Sequence, residues 1–139
     1  MGPKITADNP EIKGFISLAG SLRPLQDIML DQNQAAIAAT SSLTAQQKEE
    51  QLALAKTEIA KTKTLDDGGT GYIMGIPTNY WQSLNAIDSA AIVQKLQVPM
   101  LILQGGADFQ VYADKDYPLW QTALAGRGNV TFKLYGGLS

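Results

Sequence analysis

The chain has 139 residues, the length of one domain, and its 45% hydrophobic and 17% charged residues are typical of a globular protein and not of a disordered one. Eleven Lys and Arg residues against thirteen Asp and Glu give a net charge of −2 without a basic stripe, which argues against a nucleic-acid partner. Because the sequence contains neither Cys nor His, it excludes disulfides, Cys/His zinc sites and imidazole acid–base chemistry within the chain.

The first predicted elements are a strand followed by a helix. Residues 12–19 are rich in β-branched and aromatic side chains and lie between Pro10 and Gly20, a pattern that predicts a strand. Pro24 suits the first turn of a helix, and apolar residues then recur at helical spacing, which predicts a helix over residues 24–39.

A second helix is predicted over residues 44–63. Thr44 and Gln47 have the spacing of a capping box, in which each side chain bonds to the backbone of the other residue. The many charged side chains of this helix are interpreted as a solvated face. The two helices and their short link predict an antiparallel hairpin, and neither helix is apolar enough to lie beneath a central sheet. We therefore interpret residues 24–75 as a cap-like helical insertion in a single domain of residues 1–139.

A glycine-rich segment and an aromatic segment follow the two helices. Residues 66–71 predict a turn, with Gly68 and Gly69 as a candidate hinge. A phosphate-binding loop is the less favoured alternative, because no strong strand precedes the glycines and no Lys follows them. The aromatic stretch of residues 72–81 predicts either the core packing of a loop and short helix or the wall of a binding pocket.

The carboxyl-terminal part of the chain is predicted to hold two strands and two helices. Asp88 can cap a short helix over residues 89–96. Residues 98–104 form a continuous apolar run, typical of a parallel strand that is buried on both faces. A helix over residues 117–125 and an alternating strand over residues 129–135 follow. This order of elements predicts an α/β fold with a mainly parallel sheet of about three strands.

Asp108 is the most promising functional residue. In open α/β sheets the reactive groups lie just beyond the carboxyl ends of strands, and Asp108 follows the buried strand by a Gly105-Gly106 turn. An Asp in a Gly-rich turn commonly forms an Asx turn with its own backbone, so this position alone does not establish catalysis.

A family resemblance adds to this interpretation. Residues 98–111, together with residues 129–139, resemble the carboxyl-terminal part of bacterial α/β-hydrolases of the esterase and serine-peptidase type. Residues 1–25 resemble the helix behind the nucleophile, the next strand and the start of the cap in the same family. The resemblance implies a partial α/β-hydrolase sheet in which Asp108 is the acid of a Ser-His-Asp triad. It also implies that the histidine follows directly after Ser139.

The chain lacks the other two members of the triad that this resemblance implies. The G-x-S-x-G nucleophile elbow would lie before Met1, and the following serines stand outside that motif: Ser17, Ser21, Ser83 and Ser139. We therefore expect an inactive fragment of a hydrolase whose parent cleaves small acyl or peptide substrates through an acyl-enzyme. Gln110, Val111, Tyr80 and Trp81 are candidates for lining the substrate pocket.

Two other functions stay open at this point. A non-enzymatic self-association module is the main alternative, and a nucleotide-binding domain using Gly105 and Gly106 is weaker because the glycine spacing is wrong.

We expect a homo-oligomer through the exposed edge of the first strand, and no metal or cofactor. No apolar run reaches the ~20 residues of a bilayer span. The compartment is undecided: cytoplasmic is the default expectation, and export stays open.

The strand of residues 98–103 is also the predicted centre of the core. We expect the strands around Phe15 and Phe132 to flank it and Leu101 to be deeply buried.

Overall fold

Six helices and five strands make up the part of the chain that the computed structural model describes, residues 1–65 and 68–139. In chain order they are α1 (Gly2–Asp8), β1 (Phe15–Leu18), α2 (Leu25–Ala39), α3 (Ala45–Lys61), β2 (Tyr72–Ile73), β3 (Ile76–Pro77), α4 (Thr78–Asn85), α5 (Ser89–Lys95), β4 (Met100–Gly105), α6 (Ala113–Ala123) and β5 (Val130–Tyr135). They form two compact units, one of residues 1–23 with 87–139 and one of residues 24–86.

A three-stranded parallel sheet organises the first unit. The strand order is β1-β4-β5, and the register aligns Phe15 with Met100 and Met100 with Val130. The predicted α/β fold with a central parallel strand is therefore confirmed. The strand predicted over residues 12–19 is shorter than expected and begins at Phe15, whose N–H donates to the Pro99 carbonyl.

The core of this unit lies on one face of the sheet. Trp120 of α6 is 2% exposed and stacks on Phe15 with ring centroids 5.9 Å apart. Tyr117 packs edge-on against Phe132 at 6.0 Å, and burial raises the pKa of its hydroxyl. The other members of the cluster come from the loop after β1, from α5 and α6 with the residues just beyond them, and from the same face of β4: Leu22, Val93, Leu96, Met100, Ile102 and Leu124.

The prediction that the central strand is buried on both faces is wrong. Burial along β4 alternates, so that Met100 and Ile102 are buried while Leu101 and Leu103 are only partly covered. The described helices of this unit, α1, α5 and α6, contribute to the Phe15 side of the sheet, and Ile16 on the other side is 63% exposed. The apolar run in the sequence therefore does not show whether one or both faces of the strand are covered.

Helix α6 begins earlier than the sequence predicts. We expected its first turn near Tyr117 or Pro118, but the helix starts at Ala113 and contains Pro118 in its interior. The reason is tertiary: Asp116 is fully buried and paired with Arg23, and its own N–H donates to the Tyr112 carbonyl at 2.8 Å. These bonds fix the preceding turn in helical geometry and outweigh the local preference of proline.

The second unit contains the predicted antiparallel helix pair. Lys63 bonds to Asp27 at 2.5 Å, and Lys48 donates to the Ala38 carbonyl at 2.6 Å, so each end of the pair is tied. The capping box at the start of α3 is confirmed, because the Thr44 hydroxyl accepts from the Gln47 N–H at 3.2 Å and the return bond is 2.9 Å. Among the described helices, every one is too short or too polar to serve as a membrane span.

The aromatic segment folds as a two-stranded hairpin and a short helix. Met74 and Gly75 both have positive φ at the turn between β2 and β3, so a short hairpin stands where the sequence predicts a loop. Trp81 of α4 is fully buried and donates its Nε1–H to the Ile73 carbonyl at 3.2 Å. Of the predicted glycine hinge, residues 66 and 67 lie outside the described residues, while Gly68 and Gly69 have left-handed φ values.

Candidate active site

Asp108 lies in a tight turn at the carboxyl end of the central strand. Its Oδ1 accepts the backbone N–H groups of Gln110 at 2.8 Å and Val111 at 3.0 Å, which is the Asx geometry expected from the sequence. The side chain is partly exposed, and across residues 1–65 and 68–139 no hydrogen bond to its Oδ2 is found. One carboxylate oxygen thus fixes the turn and the other is available to a donor.

Gln104 supports this turn from inside the sheet. It is 2% exposed, and its Nε2 donates to the carbonyls of Val111 at 3.0 Å and Gly105 at 3.1 Å. The sequence reasoning missed this residue. Its position in the strand could have identified it, because the period-two alternation that begins with Met100 and Ile102 places the Gln104 amide on the buried face.

The segment after β5 packs against the same turn. The Gly106 N–H donates to the Tyr135 carbonyl at 2.8 Å, and the Ala107 N–H donates to the Leu138 carbonyl at 3.0 Å. A Cβ on Gly105 would overlap the Leu138 carbonyl oxygen, so the close approach requires glycine there. The structure therefore brings residues 135–138 beside the Asp108 turn.

This packing also argues against the nucleotide-binding alternative. A phosphate-binding loop needs backbone N–H groups that point into open space. The N–H groups of Gly106 and Ala107 are instead used by two carbonyls of the chain itself. In the described part of the chain, no group of three or more Asp or Glu side chains is placed to hold a metal ion.

A second buried polar cluster connects the loop after β1 to α6. Asp116 is 0% exposed and accepts from Arg23 Nε at 2.9 Å and Nη2 at 2.7 Å, and the Ser21 hydroxyl also donates to it. Trp120 Nε1 donates to the Gly20 carbonyl at 2.7 Å. Ser21 is therefore part of a structural network with Asp116.

The predicted substrate-binding residues fall in both units. Gln110 and Val111 lie in the Asp108 turn of the first unit and bond to its carboxylate through their backbones. Tyr80 and Trp81 lie on α4 of the second unit, where Tyr80 is 50% exposed and the Trp81 ring is enclosed. The structure brings the first pair together with Asp108.

Comparison with known proteins finds one informative relative. The chain is 31% identical over 134 residues to the esterase EstD of Thermotoga maritima, an alignment that covers 96% of this chain and 30% of the esterase. The chain thus spans less than a third of the length of this curated relative. No protein-family model matches, and no solved structure matches. The similarity is consistent with a piece of an esterase-type hydrolase.

Proposed function

We propose that this chain is part of a serine-type hydrolase that cleaves ester or amide bonds, and that Asp108 is the acid of its catalytic triad. The observation that carries the proposal is the Asp108 turn at the end of β4. A triad acid must be held rigidly while one of its oxygens accepts from the base. Asp108 combines both properties. Two backbone N–H groups hold its Oδ1, and its Oδ2 is left for a partner.

The proposed base is a histidine that follows Ser139 in the longer protein. Support comes from the bonds that hold residues 135–138 against Gly106 and Ala107, next to Asp108. In the reaction, this histidine accepts the proton of a serine hydroxyl as its oxygen attacks the substrate carbonyl carbon. The imidazolium gives this proton to the departing alcohol or amine as the acyl–oxygen or acyl–nitrogen bond breaks, which leaves an acyl-enzyme. In the second step the histidine accepts a proton from water, which attacks the acyl carbon, and returns it to the serine oxygen as the acid is released. Asp108 orients the imidazole and stabilises its charged form.

The remaining predicted roles belong to the same proposal. Gln110 and Val111 border the substrate beside Asp108, and residues 24–75 act as a cap. The roles of Tyr80 and Trp81 as pocket residues stay predictions. The relative's name specifies an esterase, which favours an ester substrate for this chain as well.

The Asp108→Asn variant of the longer protein tests the triad assignment. We expect turnover of an activated ester to fall by about 10³–10⁴-fold, because an amide cannot hold the required histidine tautomer. Asp114→Asn is the matched control, since Asp114 is an exposed aspartate six residues further along the chain. Full turnover of Asp108→Asn would refute the assignment.

The 139-residue chain alone should be inactive. A chain without histidine cannot supply the imidazole base of the triad, so we expect no ester hydrolysis above background. We also expect no labelling by a fluorophosphonate, which reacts with activated serines. Stoichiometric labelling of one serine would contradict the proposal.

The second candidate function is self-association. β1 is an edge of the described three-stranded sheet, and its side chains Ile16 and Leu18 are 63% and 73% exposed. In a parallel ladder the backbone groups of alternate residues point to opposite sides. The Phe15 N–H bonds toward β4, so those of Ile16 and Leu18 point to the free edge, where they can pair with a second copy.

Sedimentation at micromolar concentration tests this second candidate. We expect Ile16→Lys to convert an oligomer to a monomer, because a charge at the edge blocks strand pairing. Leu54→Lys is the control, since Leu54 is a comparably exposed leucine on α3 at 67%. A monomeric wild-type chain would exclude self-association.

A further inference from the structure

We infer that Gln104 is a positioning residue that holds the Asp108 carboxylate in its working geometry, an inference that rests on the proposed function. Gln104 occupies the buried face of the central strand one residue before the strand ends. Buried amides are costly unless they are hydrogen-bonded, so a buried Gln in an otherwise apolar row needs an explanation. The two carbonyls to which Gln104 donates provide this explanation, because that of Val111 belongs to the Asp108 turn and that of Gly105 to its entry.

The bonds form a continuous path from the core to the carboxylate. Gln104 Nε2 fixes the Val111 carbonyl at 3.0 Å, and the Val111 N–H in turn donates to Asp108 Oδ1 at 3.0 Å. The same side chain bonds to the Gly105 carbonyl at 3.1 Å, which anchors the start of the turn. One buried amide therefore ties both ends of the segment between β4 and α6.

Burial does not hold Asp108 itself, which makes this path important. The Asp108 side chain is partly exposed, and its neighbour Phe109 is 69% exposed. The direction of the carboxylate therefore depends on the placement of the Gln110 and Val111 N–H groups. If the Val111 carbonyl lost the Gln104 amide, the Val111 backbone would no longer be fixed at its carbonyl side. A shift of the Val111 Cα, which the two flanking peptide planes share, would then displace the Val111 N–H from Oδ1.

A purely structural role is the competing explanation, and Gln104→Met separates the two. Methionine has a similar length and fills the same space, but it has no N–H to donate. Gln97→Met is the matched control, because the Gln97 amide also donates to a backbone carbonyl, that of Lys95 at 3.2 Å. Gln97 is exposed and lies before the other end of β4.

The first measurement uses amide hydrogen exchange on the 139-residue chain. In Gln104→Met we expect exchange at Gln110 and Val111 to accelerate about fivefold, with Ile102 unchanged. Gln97→Met should leave all three amides unchanged. Unchanged exchange at Gln110 and Val111 in Gln104→Met would overturn the inference, and equal acceleration at Ile102 would assign Gln104 a structural role only.

The second measurement uses the longer hydrolase. We expect Gln104→Met to lower kcat by about 10–100-fold with a smaller change in KM, because the displaced acid misplaces the base while the substrate keeps its contacts outside the Asp108 turn. Gln104→Glu, which keeps the size but opposes two carbonyls with a carboxylate, should lower kcat at least as much. If Asp108→Asn is fully active, the proposed function fails. If Asp108→Asn is impaired and Gln104→Met is not, only the positioning role fails.

Discussion

Asp108 and Asp116 lie eight residues apart, and their surroundings differ in almost every respect. Asp116 is fully buried, and both of its oxygens are used by Arg23 while Ser21 also donates to it. Asp108 is partly exposed and uses one oxygen for its own turn. A carboxylate whose acceptors are all occupied stabilises the fold, whereas one with spare capacity can take part in chemistry.

The largest expected stability effect comes from Asp116→Asn. Asp116→Asn removes the buried negative charge that faces the Arg23 guanidinium, whose side chain is only 16% exposed. Breaking such pairs costs about 3–5 kcal/mol. Urea unfolding should show this loss, and Asp114→Asn should show almost none. A loss below about 1 kcal/mol would mean that the pair contributes little, and the contrast with Asp108 would disappear.

Substitutions in β4, the strand that precedes Asp108, should give the next largest loss of stability. Ile102 is 2% exposed, so Ile102→Ala should cost about 2–5 kcal/mol by creating a cavity. Leu101→Ala should cost clearly less, because the structure leaves Leu101 only partly covered, contrary to the expectation from the sequence. Thermal unfolding of both variants checks the difference. Equal losses would show that the Leu101 face is covered in solution.

A double-mutant cycle sharpens the role of Asp116. Arg23→Met and Asp116→Leu should each destabilise the chain, because each leaves a partner of the ion pair behind. The double variant replaces the pair by apolar side chains, so we expect it to recover about 1–3 kcal/mol relative to the sum of the single losses. Additive losses in urea unfolding would show that the two residues act independently.

The smallest expected stability change belongs to Asp108→Asn. Asparagine keeps a side-chain oxygen that can accept from the Gln110 and Val111 N–H groups, so the turn should persist. We expect a change in unfolding free energy within about 0.5 kcal/mol. A loss equal to that of Asp116→Asn would make Asp108 a structural residue and remove the contrast between the two aspartates.

Features fixed by a few neighbouring residues were predictable from the sequence. The Thr44 capping box, the Asp88 cap that accepts from the Ala91 N–H at 2.9 Å, and the Asx turn at Asp108 all depend on local spacing. Local patterns also located every strand of the parallel sheet. The caps and the turn were predictable because their bonding partners lie within three residues of each other, whereas the strands were located by their runs of apolar and β-branched residues.

Features that depend on distant partners were not predictable in this way. The early start of α6 requires Arg23, which lies 93 residues from Asp116. The one-sided burial of β4 depends on which helices pack on the sheet, and an apolar run contains no such information. Gln104 was overlooked because its partner, the Val111 carbonyl, becomes a neighbour only after the turn has formed.

The Arg23–Asp116 pair also affects how this chain can change in evolution. Arg23 is the last residue of the first unit before the chain enters residues 24–86, and Asp88 begins the helix just after it returns. Both junctions are secured by side chains bonded within the sheet unit itself. We therefore expect the bonds of Asp116 and Asp88 within the sheet unit to persist when side chains on the surface of residues 24–86 are substituted.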